Sequence, residues 1–260
     1  MDRRFFSILC HLLWTTAGLV GIEVIDVEEM VAMFLHILTH DVKNRMIQRQ
    51  FVRSGETVSR HFNLVLLATL RLHDELLKKL QPVTNSCTDS RWKWFENCLG
   101  ALDDTYIKVN VSATDRPRYK TRKGEVATNV LGVCDTKGDF VFVLFGWEGS
   151  AADSRILRDA ISRHNGLKVP KECLERAFGL LKGRWKILRG KSYYPVNVQC
   201  RTIMACCLLH NLINKEMANS EIIDDLDEGD STYATTEGDE INYIEASNEL
   251  SDWRDQLAVQ

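Results

Sequence analysis

Two adjacent aspartates interrupt a strand-like run, and this feature constrains the fold more than any other in the chain. The run extends from Leu99 to Val111 and reads Leu-Gly-Ala-Leu-Asp-Asp-Thr-Tyr-Ile-Lys-Val-Asn-Val. A carboxylate on a strand destabilises the fold unless it is hydrated, paired or bound to a metal. The run therefore predicts a strand whose aspartates, Asp103 and Asp104, are hydrated, paired or bound to a metal.

A second stretch, from Leu174 to Arg189, has the pattern of an amphipathic helix. Its apolar side chains step by four and three along one predicted face: Leu174, Phe178, Leu181, Trp185 and Leu188. The opposite face is predicted to carry one acid, one glycine and three cations: Glu175, Gly179, Lys182, Lys186 and Arg189. Such a face suits a polyanion. We interpret the strand acid and the helix acid as parts of one former metal site over nucleic acid.

Four motifs follow one another along the chain. They read Asn97-Cys-Leu-Gly-Ala-Leu-Asp-Asp-Thr-Tyr-Ile-Lys-Val, Arg118-Tyr-Lys-Thr-Arg-Lys-Gly-Glu, Gly146-Trp-Glu-Gly-Ser-Ala-Ala-Asp-Ser-Arg and Glu175-Arg-Ala-Phe-Gly-Leu-Leu-Lys. Together they resemble the plant PIF/Harbinger transposase-derived nucleases of the DDE endonuclease superfamily, and the resemblance covers nearly the whole chain. It implies a ribonuclease-H-like fold and an Asp-Asp-Glu site that cuts DNA phosphodiesters with a divalent metal, Mg²⁺ or Mn²⁺.

The resemblance assigns two of the three family acids. By motif match, the first acid falls on Asp103 and the glutamate on Glu175, so these two are the expected catalytic and metal-binding residues. The second acid has no match. Lys168-Val-Pro-Lys runs almost directly into Cys173-Leu-Glu-Arg, where the family has a strand ending in an Asp-Ala-Gly-Tyr-type motif. We therefore expect an internal deletion, an open edge on the Asp103 strand and impaired catalysis.

Asp153 is the obvious candidate to replace the missing acid. It lies in Ser150-Ala-Ala-Asp-Ser-Arg, where a helix is expected to begin. Asp is a preferred N-cap residue, and the family carries an acid here in addition to its catalytic second acid. We therefore predict that Asp153 caps a helix rather than binding metal.

Charge is divided unequally along the chain. Residues 219–260 contain 13 acidic residues and one basic residue, so this tail carries −12 while residues 1–218 carry about +9. A cationic body with an acidic tail favours a nucleic-acid binder whose tail competes with the ligand or recruits basic partners. A solvated tail beside an ordinary surface would have the same composition. Few apolar residues in the tail predict that it is largely disordered.

The eight cysteines include no Cys-x-x-Cys pair, so the sequence offers no paired metal spacing of the kind used by zinc modules. Several sit among apolar residues and are expected to be small core residues in a reducing compartment. His210, inside an apolar helical run, is expected to be a hydrogen-bonded core histidine rather than a metal ligand.

The N-terminal region predicts a helical domain. Phe5 to Ile22 has the outline of a signal peptide or weak membrane anchor, but its polar residues and glycines favour a first helix instead. Asp26-Val-Glu-Glu has capping-box spacing, and Ser54-Gly-Glu-Thr separates two helical pieces. The second piece is expected to expose Ser59, Arg60 and His61 at its start. This outline fits a helix-turn-helix with Arg60 on DNA, although trihelical bundles without DNA contacts share it.

The segment Arg116-Pro-Arg-Tyr-Lys-Thr-Arg-Lys concentrates positive charge. We expect its cations to contact DNA phosphates: Arg116, Arg118, Lys120, Arg122 and Lys123. A nuclear-import patch or a solvated loop remains possible from the sequence. After it, two apolar runs joined by Asp-Thr-Lys-Gly-Asp predict a hairpin, with Gly138 supplying a positive φ.

These observations predict an α+β or α/β protein. The expected parts are a helix-turn-helix-like domain over 1–80, a linker over 81–95, a truncated ribonuclease-H-like domain over 96–218 and the acidic tail. The expected partners are DNA and a nuclear or chromatin protein, with a nuclear location and no membrane. The alternatives are a domesticated, non-catalytic DNA- or chromatin-binding protein and a truncated, non-functional product.

Overall fold

A computed structural model describes residues 2–22, 24–77, 83–84, 86–88, 100–163, 167, 177–190 and 194–217, with the backbone alone for 177–180. The described residues form helices and one three-stranded antiparallel sheet, so the fold is of the α+β class, as predicted. Glu175, most of the linker over 81–95 and the tail over 219–260 lie outside the described residues.

Among the described residues before the sheet there are five helices: α1 (Arg3–Thr15), α2 (Val27–His40), α3 (Asn44–Phe51), α4 (Gly55–Arg71) and α5 (His73–Leu76). The predicted cap of α2 is confirmed, because Asp26 accepts a hydrogen bond from the Glu29 backbone N–H at 2.7 Å. Ser54 caps α4 in the same way through Thr57. Among the described residues, no helix has the length and apolar character needed to cross a membrane.

The sheet consists of β1 (Ala101–Lys108), β2 (Ala127–Cys134) and β3 (Phe140–Glu148), in that order. A short helix, α6 (Arg116–Tyr119), lies between β1 and β2. The predicted hairpin is confirmed: β2 and β3 are antiparallel, and Gly138 in their turn has φ +83°. Within the described part of the chain, no strand pairs with the other edge of β1.

In the part of the chain that the structure describes after the sheet, there are three further helices: α7 (Asp153–Ser162), α8 (Ala177–Arg184) and α9 (Val196–Glu216). A 3₁₀ turn, Lys186–Leu188, comes shortly after α8. α9 is buried along most of its length, as its continuous apolar run predicts. The two faces of the sheet are covered differently, because β3 packs against α9 on one face and a smaller cluster with Ile156 and Ala160 of α7 forms on the other.

One hydrophobic core joins the N-terminal helices to the sheet. It contains side chains of α1, α2 and α4 together with Phe140, Phe145 and the buried face of α9. Asn211 of α9 ties the parts together: its Oδ1 accepts from the Phe140 backbone N–H at 2.8 Å, and its Nδ2 donates to the carbonyls of Leu76 and Phe140. The helices before the predicted linker and the sheet after it therefore share a core.

A polar network closes the end of α9. Arg184 Nη1 lies 3.0 Å from His210 Nδ1 and donates to Asn214 Oδ1 at 3.2 Å. Asn214 in turn donates to Asp139, and His210 Nε2 lies 3.3 Å from the Gly138 carbonyl oxygen. Since Arg184 can only donate, His210 Nδ1 accepts and Nε2 carries the proton. The prediction of a hydrogen-bonded core histidine is confirmed.

Candidate functional site

The two aspartates of β1 point to opposite faces of the sheet. Asp103 lies opposite Gly132 of β2, and Asp104 lies opposite Leu131. Because side chains alternate along a strand, Asp103 shares its face with Ile107, which belongs to the core under α9. Asp104 shares the other face with Leu102, which packs in the cluster beside α7. Neighbours in sequence are therefore separated by the sheet.

Asp103 is partly buried on the α9 face. Its Oδ1 accepts a hydrogen bond from the Asp104 backbone N–H at 2.8 Å. Burial, together with the charges of nearby groups that include Asp103, raises the pKa of the Cys134 thiol on the next strand. Asp103 therefore lies on the α9 side of the sheet, and its assignment as the first family acid stays a prediction.

The second predicted acid, Glu175, lies outside the described residues, two positions before α8 begins at Ala177. Among the described residues, no group of three or more His, Cys, Asp or Glu side chains could hold a metal ion. Hard divalent cations need several oxygen ligands. The carboxylates of the described part of the chain therefore do not make a metal centre around Asp103.

On the opposite face of the sheet, the side chain of Asn129 hydrogen-bonds to two carboxylates. Its Nδ2 donates to Asp104 Oδ2 at 3.0 Å and to Asp153 Oδ1 at 3.3 Å. Burial and the nearby charge of Asp153 raise the pKa of the Asp104 carboxyl to about 6. This pairing was missed in the sequence, where a lone asparagine inside an apolar strand was its one signal.

The predicted cap role of Asp153 is wrong. Ala152 is the N-cap of α7 and makes no side-chain cap hydrogen bond, while Asp153 is the first helical residue. A carboxylate in the first turn still interacts favourably with the helix dipole. Its hydrogen bond, however, comes from Asn129 rather than from the helix backbone.

The predicted DNA-binding loop is exposed at four of its five cations: Arg116, Lys120, Arg122 and Lys123. Arg118 differs from them, since its Nη2 lies 3.0 Å from Glu148 Oε1 and both side chains are largely buried. An isolated bridge between Lys120 and Val126 and the positive φ of Gly124 shape the loop. Four cations therefore face solvent on the connection between β1 and β2, whereas Arg118 helps to hold that connection on β3.

The prediction of one helix that carries Lys182, Lys186 and Arg189 on one face is wrong for the residues after Arg184. α8 ends at Arg184 because Trp185 adopts an extended backbone (φ −118°, ψ 96°) and its side chain lies buried in the core. Lys186 and Arg189 are exposed but lie past the helix. Arg189 turns back so that its Nε donates to the Lys182 carbonyl at 2.7 Å. The three cations still lie close in the chain, but they do not form one helical row.

The start of α4 is less polar than predicted. Ser59 and Arg60 are exposed, whereas His61 is 1% exposed, so the expectation that it faces solvent is wrong. Residues 52–54 separate α3 from α4, as the helix-turn-helix outline requires. Arg60 thus stays a predicted DNA contact in an accessible position.

Comparisons with known proteins identify relatives of this chain. Residues 1–71 match a family model described as a domain of unknown function (DUF8040). The chain is 25% identical over 249 residues to "Protein ALP1-like" of Arabidopsis thaliana, covering 72% of this chain and 57% of the relative. It is 22% identical over 157 residues to "Putative nuclease HARBI1" of Homo sapiens, covering 44% of this chain and 45% of the relative. The protein of the same name from Rattus norvegicus matches equally.

No solved structure matches the chain. The chain spans about half the length of the curated relatives it matches. The chain is therefore similar to proteins named ALP1-like and putative nuclease HARBI1.

Proposed function

We propose that this chain is a Harbinger transposase-derived, nuclease-like protein that binds DNA and has impaired cleavage. The observation that carries the proposal is the separation of the acids on β1. Asp104 faces away from Asp103 and lies with Asp153 on the other face of the sheet. Neither of the two nearby aspartates can therefore take the place of the missing second acid.

The lengths of the alignments support a missing block. The alignment to the Arabidopsis relative runs over 249 residues, although 72% of 260 residues is only about 187. The alignment to the human relative runs over 157 residues, although 44% of 260 is about 114. In both cases the aligned region is longer than the part of this chain that it covers. We propose that the unmatched residues of the relatives include a block before Glu175.

Mg²⁺ or Mn²⁺ is the cofactor that the family resemblance implies, with Asp103 and Glu175 as its ligands. Two-metal cleavage of a phosphodiester needs carboxylates that hold both ions near the attacking and leaving oxygens. The described residues on the Asp103 face do not fit such a site, so we assign no cleavage step to this chain.

DNA binding in this proposal rests on the exposed cations of the loop between β1 and β2. Arg116, Lys120, Arg122 and Lys123 present positive charge from one short segment, which suits phosphates without selecting a base sequence. Lys182, Lys186, Arg189 and Arg60 are further proposed contacts. A DNA-binding protein of this kind would act in the nucleus.

A second candidate is a domesticated, non-catalytic protein that binds DNA or a chromatin partner through its N-terminal helices, residues 1–80, and its basic loops. The N-terminal helices favour it, because they pack as an ordered set with capped α2 and α4. The two candidates differ only in whether any cleavage survives. A truncated, non-functional product would bind neither DNA nor a partner.

The DNA-binding proposal predicts the effect of reversing charge in the loop. Lys120→Glu combined with Arg122→Glu should weaken binding to a short duplex about tenfold or more at low salt, because two phosphate contacts become repulsive. Fluorescence anisotropy of a labelled duplex, repeated at several salt concentrations, measures the affinity and its salt dependence.

Two variants serve as controls for that experiment. Lys137→Glu changes an exposed cation in the β2–β3 turn and should leave the affinity nearly unchanged. Asp103→Ala should also bind DNA normally, because no assembled metal site is lost. Equal weakening by the loop variant and the Lys137 variant would contradict a DNA-binding role for the loop.

A further inference from the structure

The outward face of α4 carries two leucines between two arginines. Arg60, Leu64, Leu67 and Arg71 follow one another at steps of four, three and four residues, which places them on one side of the helix. All four side chains are exposed, and Leu64 and Leu67 are 43% and 41% exposed. The opposite side of α4 is buried in the core. We call the exposed row the α4 stripe.

We propose that the α4 stripe is the docking site of an acidic, amphipathic segment of this chain's own tail, residues 243–257. Of the four side chains in the stripe, the proposed function uses Arg60 alone, as a DNA contact. The docking concerns the protein by itself and does not require that it bind DNA.

The tail segment repeats the spacing of the stripe with apolar residues. A helix formed on binding would carry four of them on one side, at steps of four, three and four: Ala246, Leu250, Trp253 and Leu257. The segment also contains four acids and one arginine, a net charge of −3: Glu245, Glu249, Asp252, Asp255 and Arg254. A helix of about four turns is marginally stable in water. Contact with the two leucines and the two arginines of the stripe would therefore stabilise it.

Charge decides between this segment and a second copy of the chain. An antiparallel pair of α4 stripes would place Arg60 of one copy opposite Arg71 of the other, and a parallel pair would place each arginine opposite its equivalent. Like charges facing each other destabilise an interface. The acids Glu56 and Asp74 lie three or four residues further out along the chain than the arginines that border the leucines. An acidic partner therefore fits the stripe better than a copy of the stripe does.

The tail leaves the described fold close to the α4 stripe. Asn211 of α9 donates to the Leu76 carbonyl at 2.9 Å, and Leu76 follows Arg71 by five residues. α9 ends at Glu216, about 8 Å further along the helix than Asn211. Residues 218–242 then precede the segment, and a chain of that length reaches up to about 90 Å. The segment can therefore reach the stripe within one molecule, at a high effective concentration.

Another exposed apolar side chain lies on the neighbouring helix α1. Arg71 Nη1 donates to the Ala17 carbonyl at 3.0 Å, so the ends of α1 and α4 lie side by side. Trp14, three residues before Ala17, is 60% exposed. The apolar surface at this end of the helices thus includes an aromatic side chain of the kind that anchors interfaces.

Hydrogen–deuterium exchange of the full chain, read by mass spectrometry of its peptides, tests the docking. Leu64→Glu and Leu67→Glu, made separately, each place an acid in the stripe that repels the tail. We expect the backbone amides of residues 245–257 to exchange about fivefold or more slowly in the wild-type protein than in either variant. Both leucines are exposed, so the variants should keep their fold, which unchanged protection of α9 verifies.

Ile161→Glu is the matched control, because it makes the same change at an apolar side chain that is 51% exposed on α7. It should leave the exchange of the tail segment within about twofold of the wild-type rate. Arg60→Glu combined with Arg71→Glu should speed the exchange as the leucine variants do. The difference from the wild-type protein should diminish as salt is added, since the arginines act through charge.

Three results would overturn the proposal. The first is exchange of residues 245–257 in the wild-type protein as fast as in a synthetic peptide of residues 241–260. The second is an equal exchange rate in the wild-type protein and both leucine variants, or an equal effect of Ile161→Glu. The third is protection that rises with protein concentration together with a doubled mass in light scattering, which would assign the docking to the tail of a second copy. These measurements contain no DNA, and duplex anisotropy reports on the proposed function separately.

Discussion

At the scale of single residues, the groups around His210 in the core determine the pKa of its imidazole. Burial and the positive charge of Arg184 lower the pKa of the His210 imidazole to about 4. In the unfolded chain a histidine has an ordinary pKa of about 6.5. As the pH falls from about 6.5 to about 4, the unfolded state therefore takes up the proton first and the folded state loses stability.

This shift predicts a pH-dependent effect of His210→Asn. Between pH 7 and pH 4 the free energy of unfolding of the wild-type protein should fall by about 2–3 kcal/mol more than that of the variant. Above pH 7 the difference between the two proteins should be constant. Denaturant titrations at several pH values measure it, and parallel pH profiles would contradict the account.

Asp104 also changes its protonation in this pH range. The effect of His210 must therefore be measured as the difference between the wild-type protein and the His210→Asn variant. The pKa of Asp104 is raised to about 6, so acidification through that range removes an unfavourable charge and stabilises the fold. This contribution has the opposite sign to that of His210. It is present in both proteins of the comparison and therefore cancels.

Residue identity alone predicted some of these environments and missed others. An apolar run around His210 was enough to predict a core histidine, because nearly every face of that helix is buried. The role of Asp153 was missed because an acid at a helix start is usually a cap, and only the pairing of β2 with β3, which α7 follows, brings it to Asn129. His61 was missed because its neighbours Ser59 and Arg60 are exposed.

At the scale of elements, α9 connects the sheet to the N-terminal helices. Asn211 makes three hydrogen bonds to backbone groups of Phe140 and Leu76 in a fully buried position. Without this side chain, those backbone groups would be left buried and unpaired.

Asn211→Ala should therefore lower the free energy of unfolding by about 3–5 kcal/mol. Lys215→Ala, at an exposed position of the same helix, should change it by less than about 0.5 kcal/mol. Urea titrations followed by circular dichroism measure both. Similar stabilities of the two variants would show that Asn211 does not connect the parts.

Periodicity predicted where elements begin better than where they end. The hairpin was predictable because its turn residues allow few conformations, with Gly138 at a positive φ. The end of α8 could not be predicted, because Trp185 continues the apolar spacing of a helix. In the structure, Trp185 has an extended backbone, and from that backbone its side chain also reaches the core. Both a helical and an extended backbone would bury the Trp185 ring, and tertiary packing decides between them.

At the scale of the whole molecule, charge is separated between the body and the tail. Residues 1–218 carry about +9 and residues 219–260 carry −12. Oppositely charged parts of one chain attract each other at low salt, and this attraction competes with binding of DNA phosphates.

Deletion of residues 219–260 should therefore strengthen DNA binding at low salt, by about fivefold or more, and the gain should diminish as salt is added. Anisotropy titrations of the full and shortened chains at about 50 and about 300 mM salt measure the difference. Unchanged affinity at low salt would exclude a competing tail.

The division of charge and the four family motifs could be read directly from the sequence. Which acids share a face of the sheet could not, because Asp103 and Asp104 are equivalent until β1 is paired with β2 in a definite register. The proposed loss of catalysis therefore rests on the fold as well as on the segment that the family motifs predict to be missing.

We propose that this chain does not assemble a phosphodiester-cleaving metal site. Nicking of supercoiled DNA by the purified, folded protein in Mn²⁺ or Mg²⁺ tests it most directly, with Glu175→Gln as the matched variant. We predict no nicking above the level of Glu175→Gln, at protein concentrations that saturate DNA binding. Metal-dependent nicking that Glu175→Gln abolishes would contradict the account and would mean that another acid completes the site.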